Sequence, residues 1–183
     1  MGTIPKGTEY IKTVPFFLKI AEFVILLVAI GTLGRFLDKI DVTSEKSRLD
    51  FGIFAVVVSL IVVVIMAVLF VSGLHEKISI INWPLTVFIS CLIWSVMLFI
   101  AGCLLADTVR KFNKNIAFTS ISSCDYLDRG NHGATCGHLI GATVCCFIAS
   151  ILFAVDAFIN FRIQRDQSDT SSATASAPEK TST

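Results

Sequence analysis

The chain has 183 residues, 54% of them hydrophobic and only 16% charged, with a formal net charge of +1. Soluble domains carry about a quarter charged residues, so a freely soluble fold is a poor fit. The balanced charge, with no basic patch, excludes nucleic acid as an expected partner.

The apolar residues fall in long blocks rather than in alternation, the pattern of membrane-spanning segments. After a short N-terminal segment, 1–11, the first block runs from Val14 to Gly34. A cleavable signal peptide competes here, with Ala29-Ile30-Gly31 as a small-residue cleavage site. Glu22 inside the block, and the block's length, favour a retained helix. The second block, Phe51 to Leu74, has 24 residues and no charged side chain. The third, Ile78 to Ala106, is also uncharged, with Asn82 and Pro84 near its start. The fourth runs from Gly137 to Phe161.

Each block meets the requirement of about 20 residues for a spanning helix. Lipid offers the backbone no partner, so the blocks must be helical. The expected fold is therefore all-α: a polytopic, four-transmembrane-helix bundle with short loops, occupying 12–163. Residues 164–183, "QRDQSDTSSATASAPEKTST", hold no apolar side chain larger than alanine. They cannot bury enough surface to fold and are expected to be a disordered cytosolic tail.

Four helices place both termini on one side of the membrane. Counting Lys and Arg gives seven on the terminal side and eight on the other, so the positive-inside rule does not choose the orientation. The cysteines do more. Cys91, Cys103, Cys145 and Cys146 lie within blocks, where a thiol behaves as a small apolar group. Cys124 and Cys136 flank "DYLDRGNHGAT", a polar, turn-rich stretch whose ends can meet. A disulfide there requires an oxidising compartment, which would make the termini cytosolic; the alternative is two free loop thiols. No Asn-x-Ser/Thr site occurs, so no N-glycan is expected.

Two acids interrupt the hydrocarbon. Taking the first helix to enter near Phe16 and the fourth to leave near Arg162, Glu22 and Asp156 both lie roughly 9 Å inside the terminal boundary. A charge facing lipid costs at least a few kcal/mol. The acids should therefore face the bundle interior, or one should carry a proton. Lys19 lies one turn from Glu22 as an i,i+3 neighbour, and reaches Asp156 if the first and fourth helices are adjacent. The plainest role for Lys19, Glu22 and Asp156 is to staple those helices together. On the fourth helix, small residues recur every four positions at Gly133, Gly137, Gly141, Cys145 and Ala149. Such a ridge admits close helix approach, within the bundle or between copies.

No catalytic pattern emerges. The histidines at 75, 132 and 138 do not stand at metal-ligand spacing. No nucleophile elbow, phosphate loop or dinucleotide fingerprint is present. The chain reads as a non-enzyme with no cofactor and no metal.

The segments "TVPFFLKIAEFVILLVAI" and "LFAVDAFINFR" resemble the first and last helices of MARVEL-domain proteins, the four-helix group that includes the myelin and lymphocyte protein, plasmolipin and the chemokine-like-factor-type proteins. The shared marks are a proline before the first helix, a basic residue in its first turn, the acid at Glu22 and the Asp-Ala pair before the cytosolic end. The resemblance covers residues 12–165. It implies a role in membrane domains, vesicle trafficking or membrane apposition. The expected partners are the lipid bilayer and its cholesterol-rich domains, other membrane proteins and a second copy of the chain. It implies cytosolic termini and residence in the plasma membrane or endomembrane vesicles. Two other classes compete: a small proton-coupled carrier using Glu22, and an accessory subunit of a channel or receptor. Claudin-like and tetraspanin patterns fit worse, because their loop cysteine motifs are missing.

Overall fold

A computed structural model describes residues 14–39, 46–72, 83–113, 124 and 136–175. Among them stand four long helices: α1, Val14–Lys39; α2, Lys46–Val71; α3, Trp83–Phe112; and α4, Cys136–Ala175. All four are long and apolar enough to cross a membrane. The described residues contain no strand. α1 packs on α2 and α4, and α3 packs on the same two, with the α3–α4 contact the most extensive. Consecutive helices are thus neighbours, and the last closes a ring against the first.

The direction of burial identifies the solvent. Leu26, Leu33, Val56, Leu98, Leu139 and Phe153 fill the interior. Outside, Phe17, Ile61, Val68, Ile93, Val96 and Ile151 lie half exposed or more. Apolar surface on every helix far exceeds what a water-soluble monomer presents. Hydrocarbon tolerates both faces, and each helix satisfies its own backbone bonds there.

The helices outrun the uncharged blocks for local reasons. α1 continues past Gly34 to Lys39. Phe36 is fully buried there and meets Phe112 of α3 edge-on, with ring centroids 5.9 Å apart. α2 begins at Lys46, ahead of Phe51, because Leu49 is buried and Arg48 forms an ion pair with Asp107 of α3. That pair carries α3 beyond Ala106. Trp83 and Pro84 open α3; a proline in the first turn removes only an N–H that has no helical partner. Residues 78–82, expected to be helical, lie outside the described residues. The largest departure is α4. It runs past Phe161 to Ala175, into the stretch expected to be unstructured. Extending a formed helix costs far less than nucleating one, so a polar sequence without Gly or Pro can continue it. Residues 176–183 lie outside the description.

Two glycines set helix spacing. A Cβ on Gly52 of α2 would stand 3.1 Å from Leu105 Cδ2 of α3, and one on Gly102 of α3 would stand 3.1 Å from the Phe147 ring of α4. The small-residue ridge of α4 behaves differently. Gly137 is exposed, Gly141 and Cys145 are half-buried, and Ala149 is fully buried; Gly133 is not described. At 3.6 residues per turn, a step of four drifts about 40° around the helix, so the ridge passes from the outer face to the interior. It presents no single surface to a partner. A Cβ at Gly141 would meet only Thr32 Cγ2 of α1, at 3.8 Å.

A reciprocal polar clamp joins α3 to α4. Ser95 Oγ donates to the Ser150 carbonyl at 2.9 Å, and Ser150 Oγ donates to the Ser95 carbonyl at 2.8 Å. Ser95→Ala removes one of these bonds and leaves the other. An interhelical hydrogen bond in a membrane averages about 0.6 kcal/mol, so the variant should unfold in detergent only slightly earlier than wild type. Ser95→Ala/Ser150→Ala should lose about twice as much, as read by thermal unfolding of the purified chain.

Cys124 and Cys136 form a disulfide, with Cα atoms 5.5 Å apart. Cys136 is the first residue of α4, so the bridge lies at the end of the bundle opposite Val14. Non-reducing peptide mapping should recover the two cysteines as one linked peptide. A ring of this size constrains the unfolded loop by roughly 3 kcal/mol in the chain-entropy model. Cys124→Ser/Cys136→Ser should loosen the loop and leave the helical content intact, as measured by circular dichroism.

Candidate functional site

The three polar residues expected to meet near one boundary do meet. Lys19 and Glu22 share a face of α1, and Lys19 Nζ lies 2.8 Å from Glu22 Oε2. The same ammonium lies 2.5 Å from Asp156 Oδ2 on α4. The two acids are 0% exposed and Lys19 is 4% exposed, so the cluster is sealed from lipid as well as from water. The ring of helices explains the arrangement. α1 and α4 are direct neighbours, and the long lysine stem spans the gap while its charge stays inside.

Further residues complete the cluster. Cys91 of α3 donates its thiol to Asp156 Oδ2 at 3.2 Å, and its sulfur accepts from Lys19 Nζ at 3.7 Å. Asn160, one turn beyond Asp156, donates to Asp156 Oδ1 at 3.2 Å and to the Asp156 carbonyl at 2.8 Å. Lys19 Nζ also sits 5.3 Å from the centre of the Phe153 ring, a cation–π distance. Phe153, Asp156 and Asn160 recur at i, i+3 and i+7, so one face of α4 delivers all three. Asp156 thus has partners on both oxygens, from three helices. Glu22 Oε1 is different: it is buried and has no hydrogen-bond partner among the described residues.

From the sequence, Cys91 reads as one of the small apolar residues of an uncharged block. A lone cysteine in an uncharged run gives no sign that it faces a carboxylate, because the rotation of α3 is set by packing. Asn160 did carry a signal, its spacing of four from Asp156 on a helix otherwise apolar there.

The ammonium of Lys19 is held between the carboxyl groups of Glu22 and Asp156, and the whole cluster is buried. His138 stands at the start of α4, at the opposite end of the bundle. Among the described residues no group of His, Cys, Asp or Glu is arranged to hold a metal ion.

The family comparison agrees with this architecture. Residues 10–159 match the model of the MARVEL family, described as a membrane-associating domain. The chain belongs to the MARVEL family. The match spans α1 to α3 and α4 as far as Ile159, and so contains Lys19, Glu22, Cys91 and Asp156. No curated protein and no solved structure matches the chain significantly. This MARVEL chain is an integral, multi-pass membrane protein with four membrane-spanning helices.

Proposed function

We propose that the chain is a non-enzymatic membrane organiser, acting in membrane domains, vesicle trafficking or membrane apposition. The observation that carries this reading is the destination of its intramembrane charges. Lys19, Glu22 and Asp156 are buried together between helices, and the outer faces of all four helices are apolar. Such a bundle has its lateral surface free for lipids and neighbouring helices. Its intramembrane polar chemistry is spent on holding the helices together.

The orientation belongs to the same proposal. The disulfide lies at the end of the bundle away from Val14, and a stable disulfide favours an oxidising compartment. This supports cytosolic termini. Tags at either terminus should stay unlabelled in intact cells and become labelled after permeabilisation.

The function is tested by localising a tagged chain in a polarised cell. It should concentrate in one membrane domain and disperse when cholesterol is depleted. Uniform distribution with no response to depletion would overturn the reading. A carrier reading draws on one observation, the buried carboxylate of Glu22 with Oε1 unpartnered. It predicts proton-coupled cation uptake by proteoliposomes, lost in Glu22→Gln. The organiser reading predicts no such uptake from either chain.

A further inference from the structure

We infer that the buried cluster binds one proton, and that Glu22 Oε1 is the atom that carries it. The argument is charge counting joined to geometry. α1 contributes one ammonium and one carboxyl group, Lys19 and Glu22; α4 contributes a second carboxyl, Asp156; α3 contributes the thiol of Cys91. The described charged residues of α2, namely Lys46, Arg48 and Asp50, are in its first turns, at the opposite end of the bundle. With both acids ionised and the lysine charged, the cluster would hold a net charge of −1 inside hydrocarbon. An uncompensated charge at that depth is costly, and no other described cation stands beside it. One proton makes the cluster neutral.

The hydrogen bonds choose the site. Asp156 Oδ2 receives Lys19 and Cys91, and Oδ1 receives Asn160. These donors all favour a carboxylate, and they leave little room for a hydroxyl hydrogen. Glu22 receives only Lys19, on Oε2. Its Oε1 is fully buried with no donor among the described residues, the position a carboxylic O–H occupies at least cost. The assignment makes the cluster a Lys19–Asp156 ion pair capped by a neutral acid that accepts from Lys19 through Oε2. The proton belongs to the assembled cluster rather than to the isolated side chain, because removing either acid alters the charge the other must balance.

Infrared spectroscopy of the full chain in lipid nanodiscs at neutral pH tests this. Water-exposed Asp and Glu are ionised there, so the carbonyl stretch of a protonated carboxylic acid reports only a retained proton. The wild-type chain should show one such band. Labelling glutamate carboxyls with ¹³C should shift it, and labelling aspartate carboxyls should not. Glu22→Gln should abolish the band. Because that variant removes a core side chain, a complementary chain retains Glu22: Glu9→Gln/Glu45→Gln/Glu76→Gln/Glu179→Gln, which leaves Glu22 as the only glutamate and should show the band at full strength. A wild-type spectrum without a protonated-acid band would overturn the proposal. So would a band that moves with aspartate labelling, or one that survives in Glu22→Gln.

Discussion

Lys19→Met should abolish delivery of the chain to its destination membrane and cause its retention in the early secretory pathway. The substitution retains most of the stem volume and removes the one cation that Glu22 and Asp156 share. Breaking a buried ion pair by deleting one partner costs about 3–5 kcal/mol, since the remaining charge has lost its counterpart. Here Asp156 loses its ammonium partner and Glu22 loses the hydrogen bond that Lys19 donates. A charge-neutral control separates electrostatics from packing. Lys19→Met/Glu22→Gln/Asp156→Asn retains the shapes and removes every formal charge, and should recover a large part of the delivery lost by the single variant. Surface biotinylation measures both. Normal delivery of Lys19→Met would show that the cluster does not hold α1 to α4.

Gly102→Leu should be the most damaging change outside the cluster. Even the first added carbon meets the Phe147 ring at 3.1–3.3 Å, and three more carbons have to go into the largest interface of the bundle. Phe147 is itself held edge-on by Phe99, with ring centroids 5.7 Å apart, so its retreat disturbs a second contact. Overpacking of a close-packed interior costs about 1–3 kcal/mol, and a side chain this large falls at or beyond the upper end. Gly102→Ala should cost less, because a ring that is only half-buried can yield a few tenths of an ångström. Gly141→Ala, with only Thr32 nearby, should be close to neutral. Thermal unfolding of the three purified variants in one detergent should rank them Gly141→Ala, Gly102→Ala, Gly102→Leu in order of increasing loss.

The contrast between Gly102 and Gly141 also shows what the sequence could disclose. Span number and helical class were legible, because hydrocarbon demands long uncharged runs and forbids unpaired backbone. The association of Lys19, Glu22 and Asp156 was legible from depth, since two acids at matched height in neighbouring helices have few other places to go. Helix ends were not, because Phe36, Leu49 and Arg48 extend helices through tertiary contacts beyond the apolar blocks. Nor was the rotation of each helix. Gly141 sits in a Gly-x-x-x-Gly motif yet meets little, while Gly102, in no Gly-x-x-x-Gly motif, lies against an aromatic ring. The same unknown rotation hid Cys91, whose role depends on which way α3 turns, and the Ser95–Ser150 clamp.

The ring closure between α1 and α4 has a consequence for the order of manufacture. Lys19 and Glu22 leave the ribosome first, and Asp156 follows only after three helices have been made. Throughout that interval Lys19 has Glu22 as its one acidic partner in the cluster, and the second arrives only with the last helix. Completion of the cluster is therefore a natural checkpoint for finished chains. A chain cut short before Asp156 still displays that polar face to the quality-control machinery that detains unassembled membrane segments. One ending just beyond Arg165 already holds every residue of the cluster and should pass.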